Sequence, residues 1–321
     1  MFGFISPRKL RAAGVVGMNR RNARFIGPNN RRRFYKRVDD KLQTKLLCEQ
    51  HNIKVPRLLG VVRLQHQISE LKDFLPPLQQ FVIKPANGSG GKGILVITGR
   101  DGDRYLKASG KALTLTELEH HVSNILSGLY SLGGLPDVAF FEALVIADDS
   151  LKEFSFEGVP DIRVILYHGY PVMAMARLST RRSDGKANLH QGAVGVGLDL
   201  ATGHALNAVQ FSRPLERHPD TGKALKDLKV PHWRELLVLA SRGYEMSELG
   251  YLGVDLVLDQ NLGPLVLELN ARPGLSIQLA NGAGLAPRLK AIERIHGPKR
   301  DPEQRVNAAL QALSALPVRD V

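Results

Sequence analysis

The chain has 321 residues, 43% of them hydrophobic and 23% charged, with one cysteine, Cys48. That length supplies one large core or two modest ones. No apolar run reaches the roughly 18–20 residues that span a bilayer, no secretory signal is evident, and a single cysteine excludes an internal disulfide, which suits a reducing, cytoplasmic setting. The formal charge of +13 is concentrated at the front, where residues 1–37 carry eleven Lys and Arg and no acid; removing those eleven leaves +2 for residues 38–321. Residues 1–37 therefore read as a basic N-terminal arm suited to an acidic protein or another anionic partner.

Asp39 and Asp40 open a predicted helix that runs to about Asn52 and packs Cys48. Residues 80–84 and 94–98 are β-branched and apolar and read as strands flanking a glycine-rich loop. Thr114 and Glu117 form a capping-box pattern for the next helix, which places His120 and His121 on a surface. Strands are expected at 138–146, 162–167 and 171–178, the last two joined tightly at His168-Gly169-Tyr170. Residues 179–192 read as a mobile loop. A helix from Pro231 to about Leu249 precedes a hairpin at 252–270, and Asp301-Pro302 with Gln304 starts a final outer helix. Hairpins beside helices, without regular βαβ alternation, give an α+β class.

Gly88-Ser89-Gly90-Gly91-Lys92-Gly93 satisfies the G-x-G-x-x-G spelling, but a dinucleotide site needs a helix after the loop, and here a strand follows. A Walker loop fails for the same reason, and because Gly93 follows Lys92 where Ser or Thr is needed. A glycine loop between two strands is the flap that covers ATP phosphates with backbone amides. Lys84, at the end of the preceding strand, can reach those phosphates.

In the second hairpin, a symmetric turn over Gln260–Gly263 makes Asp255 and Glu268 direct cross-strand partners, with Cβ atoms about 4.5–5.5 Å apart. Asn270 shares their face. Two carboxylates placed opposite each other repel unless something neutralises them, and a hard divalent cation does so through Asp, Glu and Asn oxygens.

Taken in order, Asp40-Lys41, Ile83-Lys84-Pro85, the glycine loop, Asp161-Ile162-Arg163, Asn188-Leu189-His190, Gly253-Val254-Asp255 and Glu268-Leu269-Asn270-Ala271-Arg272-Pro273-Gly274 resemble the ATP-grasp superfamily. Over roughly residues 38–290 the chain is most similar to the RimK-like α-L-glutamate ligases. The resemblance implies two α+β lobes gripping ATP: an N-lobe over about 38–142, a C-lobe over about 143–295, then a C-terminal helix and tail at 296–321, with no full domain ahead of the grasp. It implies that Lys41 and Lys84 bind phosphates, with Lys45 replacing Lys41 if the register shifts. Glu142-Ala143-Leu144-Val145 would receive adenine and Asp161 would contact the nucleotide. Arg163 would face an acid substrate or the transferred phosphoryl group, Asn188 would lie near the phosphates, and Asp255, Glu268 and Asn270 would hold Mg²⁺ or Mn²⁺. Arg272 would stabilise charge during acyl transfer. The activity implied is an ATP-dependent carboxylate–amine ligase using an acid and an amine or amino-acid co-substrate. A kinase that stops at phosphoryl transfer and a non-catalytic binding module are the alternatives. Gln191 stands where glutamate ligases commonly have arginine, so glutamate itself is not inherited.

Overall fold

The structure is a computed structural model that describes residues 6–316 apart from Ser89 and Leu132. It divides into two compact units, one of residues Asp39–Val145 and one that joins the chain up to Val38 with the chain from Ile146 onward. Among the described residues every strand pairing is antiparallel, in keeping with an α+β fold.

The smaller unit is built on a six-stranded sheet: β1 Leu58–Val62, β2 Phe81–Pro85, β3 Leu95–Asp101, β4 Arg104–Lys107, β5 Ala112–Leu113 and β6 Ala139–Glu142, in spatial order β1-β6-β2-β3-β4-β5. The helix Leu115–Leu126 starts in the capping box of Thr114 and Glu117 and lays Leu118, Val122 and Ile125 on Phe81, Ile83, Ile97 and Phe141. It ends at Leu126 and not at Gly133-Gly134, because Gly128 turns the chain at φ +85° with no room for a side chain against Leu135. The first helix, Lys41–Gln50, is capped by Asp40, whose carboxylate accepts from Gln43 N. Cys48 is fully buried in it.

The larger unit carries a seven-stranded sheet of β7 Asp161–Tyr167, β8 Tyr170–Leu178, β9 Val194–Leu198, β10 Ala205–Gln210, β11 Arg213–Pro214, β12 Tyr251–Asp259 and β13 Gly263–Asn270. Their spatial order is β11-β10-β9-β8-β7-β12-β13. The β7–β8 connection needs only His168 and Gly169, both at positive φ, which matches the twist of a two-residue hairpin turn. Helix Trp233–Ser247 covers β12 and β13, and the final helix Pro302–Ser314, capped by Asp301 and Gln304, buries Val306 and Ala309.

Two expectations change here. Residues 7–38 are not a trailing arm: they form short helices and links whose apolar residues Val16, Phe25, Ile26, Phe34 and Val38 are buried, while Arg24, Arg31, Arg32 and Arg33 face outward. The eleven charges hid a scattered apolar set sufficient to anchor the segment. Val16, Phe25 and Ile26 join the core around Tyr167, Tyr251 and Leu285. Residues 179–192, expected as a mobile loop, contain two 3-10 turns, and the Thr180 hydroxyl donates to Gly192 O at 2.9 Å.

Candidate functional site

In the smaller unit the glycine loop joins β2 to β3, which pair Phe81 with Ile97 and Ile83 with Leu95. The strand–loop–strand reading is what the chain adopts. Gly90, Gly91 and Gly93 all take positive φ, from 63° to 76°, which costs any other residue strain. Ser89 lies outside the described residues. Lys92 is exposed. Both ends of the loop are tied down. Asn87 donates its backbone N–H at 3.0 Å and its side-chain amide at 2.9 Å to the buried carboxylate of Asp137. The Gly93 carbonyl meets His121 Nε2 at 2.9 Å, and Gly93 sits so close to Tyr130 that a Cβ would come within 2.6 Å of its ring. His121 is thus a half-buried loop anchor, not the surface residue expected, and burial holds its pKa below the ordinary value.

Three lysines approach this loop region differently. Lys41 Nζ donates to Gly88 O at 2.5 Å. Lys84 and Lys45 both pair with Glu142, the latter at 2.9 Å, and Lys45 also donates to Pro56 O. Glu142 is almost fully buried; burial pushes its pKa up, yet Lys84 and Lys45 outweigh that and hold it below the usual carboxylate range. Burial depresses the Lys45 pKa despite Glu142. β6 ends at Glu142, and the following Ala143 donates to Arg57 O, so Leu144 and Val145 continue as non-strand backbone.

In the larger unit the register pairs Asp255 with Glu268, Val254 with Leu269 and Gly253 with Asn270, then shifts by one residue toward the turn. The carboxylates are direct neighbours, as predicted, but not through the symmetric four-residue turn: Asp259 pairs with Gly263, and a bulge at Leu267 brings Glu268 opposite Asp255. Asn270 Nδ2 donates to Asp255 Oδ2 at 3.2 Å. On its other side Asp255 faces Arg163 of β7, whose Nε and Nη2 reach the two carboxylate oxygens at 2.7 and 2.6 Å. Arg177 of β8 lies opposite Asp161, pairs with both its oxygens, and donates Nη2 to Asp255 Oδ2 at 2.7 Å. Two acids and two guanidiniums thus interlock on one face of β8, β7 and β12.

Their environment sets opposite shifts. Burial raises Asp161 to about 6, against Arg177 and with the neighbouring charge of Asp255. Burial acts the same way on Asp255, but Arg163 and Arg177 together overcome it and hold its pKa below the ordinary value. Asn188 caps the turn Leu189–Gln191, accepting from His190 N at 3.0 Å. Arg272, exposed in the loop after β13, lies over the Tyr35 ring at 4.8 Å.

The match to known families decides the assignment. A family model described as sugar-transfer associated ATP-grasp covers residues 20–294. The chain belongs to that ATP-grasp family. No curated protein matches the sequence. Among solved structures, pyruvate carboxylase of Rhizobium etli is 15% identical with TM-score 0.51, covering 93% of this chain and 23% of that one. D-alanyl-alanine synthetase A of Vibrio cholerae is 13% identical with TM-score 0.46, covering 87% and 66%. The ATP-grasp ligase PsnB, bound to a precursor variant, Mg and ADP, is 14% identical with TM-score 0.43, and this chain covers only 60% of its length. Likeness at these identities speaks to fold alone.

Of the β12–β13 donor set, Glu268 and Asn270 suit the divalent cation that the ATP-grasp fold implies, whereas both oxygens of Asp255 already accept from Arg163, Arg177 and Asn270, so the charge the cation was expected to neutralise is met by guanidiniums. Mg²⁺ keeps several waters and takes one or two carboxylates plus phosphate oxygens, not an all-protein cage. Glu268 and Asn270, both half-buried, offer such oxygens beside Asp255. No group of three or more His, Cys, Asp or Glu that could hold a metal ion occurs among the described residues. Sequence reading missed Arg177, Asp137 and His121. Only Arg177 carried a signal: a lone charge in the apolar run of β8.

Proposed function

We propose that this ATP-grasp protein is an ATP- and Mg²⁺-dependent carboxylate–amine ligase that joins glutamate or another amino acid to a peptide, protein or small acid. The observation that carries the reading is the hairpin register, which offers Glu268 and Asn270 to a hard cation beside an Asp255 held by Arg163 and Arg177. Lys84, Lys45 and Lys41, with the amides of the glycine loop, support phosphate binding in the other unit. When bound, Mg²⁺ would neutralise phosphate charge and hold the nucleotide's terminal phosphates in line.

In this reading an oxygen of the acid substrate attacks the γ-phosphorus, ADP leaves, and an acyl phosphate forms. The amine then attacks the acyl carbon, inorganic phosphate leaves, and the nitrogen loses a proton. Lys84 and Lys41 bind the phosphates. Arg163 and Arg177 hold Asp255 in position, Asn188 closes the phosphate end, and Arg272 stabilises the oxyanion; loss of one such donor costs about 10²–10³ in rate. Closure of the glycine loop would exclude water from the acyl phosphate. Ala143, Leu144 and Val145 would present backbone groups to adenine, and Asp161 would orient Arg177. Two lysines share the single carboxylate of Glu142, which favours a nucleotide phosphate as a further partner over a purely structural role.

Incubation with ATP, Mg²⁺ and a mixture of amino acids and cell-extract acids tests the reaction. Mass spectrometry should find an amide product with matching ADP and free phosphate. A stable phosphorylated product without free phosphate would replace the ligase with a kinase, and absence of nucleotide turnover with every mixture would leave a binding module.

A further inference from the structure

The folded N-terminal segment builds a cavity of which the ligase reading uses only Arg272. Its volume is about 520 Å³, and its wall includes Asn22, Ile26, Asn30, Arg32, Tyr35 and Arg272. That is the size range of small-molecule sites. All of these residues belong to the larger unit and fall within the stretch matched by the ATP-grasp family.

The frame of the cavity is rigid. Asn30 donates to Tyr251 O at 2.8 Å and accepts from Tyr251 N at 2.8 Å, and its amide also reaches Ala271 O at 3.3 Å. One side chain therefore ties the segment both to the start of β12 and to the residue after Asn270. Asn22 and Ile26 come from Arg21–Ile26, a π-helical stretch, a geometry that is rare and concentrates at functional sites.

The chemistry of the wall is one-sided. No carboxylate lines it. Arg21, buried behind it, donates to Pro273 O at 2.7 Å and to Asn22 Oδ1 at 2.9 and 3.0 Å, and among the described residues no carboxylate pairs with it. Asn22 spends its oxygen on Arg21 and keeps its N–H₂ for something else. Arg32 and Arg272 have no hydrogen bond or ion pair among the described residues, while Tyr35 holds the Arg272 plane in a cation–π contact. Donors without acceptors, on Arg32 and on the ring-held Arg272 with the uncompensated Arg21 cation beside them, select an anion, and the planar forks favour a two-oxygen group. Arg272 is two residues from Asn270, which sets this anion site beside the proposed metal hairpin.

We infer that this cavity holds the non-reacting carboxylate of the acid or amino-acid substrate, with Arg32 and the Asn22 amide as its donors, while Arg272 in the same wall serves the oxyanion. The inference rests on the ligase reading for the word substrate; the anion site rests on the cavity alone. The N-terminal segment thereby supplies the substrate wall.

Saturation-transfer NMR with glutarate on the full chain tests it, alongside calorimetry with Mg·AMPPNP. Glutarate should bind, and Arg32→Ala should weaken it about tenfold, the loss of one hydrogen bond to a charged group. Arg32→Lys should recover only part, because the fork is lost. Lys290→Ala, in a separate basic cavity lined also by Arg11, Arg20 and Arg294, should change glutarate affinity by less than about twofold. Arg32 is exposed, so the variant should melt with the unmodified chain and bind Mg·AMPPNP as well. Undiminished glutarate binding in an Arg32→Ala/Asn22→Ala chain overturns the site. Binding of inorganic phosphate but not glutarate, or of neither, overturns the carboxylate class. Failure of the unmodified chain to bind Mg·AMPPNP would sink the ligase reading separately, whatever glutarate does.

Discussion

Each unit carries one buried knot of charge, and the two are balanced differently. In the larger unit Asp161, Arg163, Arg177 and Asp255 form a neutral set of two acids and two guanidiniums. In the smaller, Glu142 serves two lysines, Lys45 and Lys84, and the group carries a net positive charge. The neutral set is closed: each carboxylate already has guanidinium partners, and removal of one member strands another. The lysine group is open, since an additional anion would complete it. A guanidinium cannot shed its proton, whereas a buried lysine can. The larger unit's knot therefore works as a fixed frame, and the smaller unit's as a phosphate-seeking one.

The largest expected effect breaks the frame. Asp255→Ala should destabilise the chain by about 3–5 kcal/mol in urea unfolding, because Arg163 is left charged and without its carboxylate in a buried site. An effect near zero would mean that the arginines find solvent and the knot is no frame. Glu142→Gln should cost less, about 1–3 kcal/mol, since Lys45, whose pKa burial already lowers, can become neutral. A loss equal to that of Asp255→Ala would erase the proposed contrast between the two knots.

A smaller effect appears in pH dependence. Asp161 is raised from its ordinary 3.8 to about 6, so the folded chain binds more protons than the unfolded one across that window. Its contribution to stability is present below the unfolded value and is lost as pH rises through about 6. The difference in unfolding free energy between the chain and Asp161→Asn should therefore fall from about pH 4 to 6 and flatten above. A difference that rises over this interval would reverse the assignment and place the depressed acid at Asp161.

Much of this was legible in sequence where local rules act alone. Asp40, Thr114 and Asp301 cap their helices as their spacing announces, and Asp255 meets Glu268 as expected, although through a three-residue turn over Gln260–Leu262 and a bulge at Leu267 instead of the symmetric four-residue turn. The strand after the glycine loop distinguished an ATP flap from a dinucleotide site. What stayed hidden depends on partners far along the chain. Arg177 meets Asp255 across 78 positions and Asn30 meets Tyr251 across 221, and no periodicity encodes such pairs. The basic segment misled for a different reason: its arginines dominate the composition, while five buried apolar side chains decide where it goes. Lys45 was an alternative to Lys41 in sequence, and burial beside Glu142 gives it a distinct place from Lys41 at the loop carbonyl.

The central claim is that the β12–β13 hairpin serves a metal-bound nucleotide, and Glu268 tests it most directly. Calorimetry of AMPPNP binding, with and without Mg²⁺, should be run on the unmodified chain and on Glu268→Ala. The unmodified chain should bind tightly only with Mg²⁺, and the variant should lose about tenfold or more of that Mg²⁺-dependent affinity while melting normally. Equal Mg²⁺-dependent affinity in the two proteins would contradict the account.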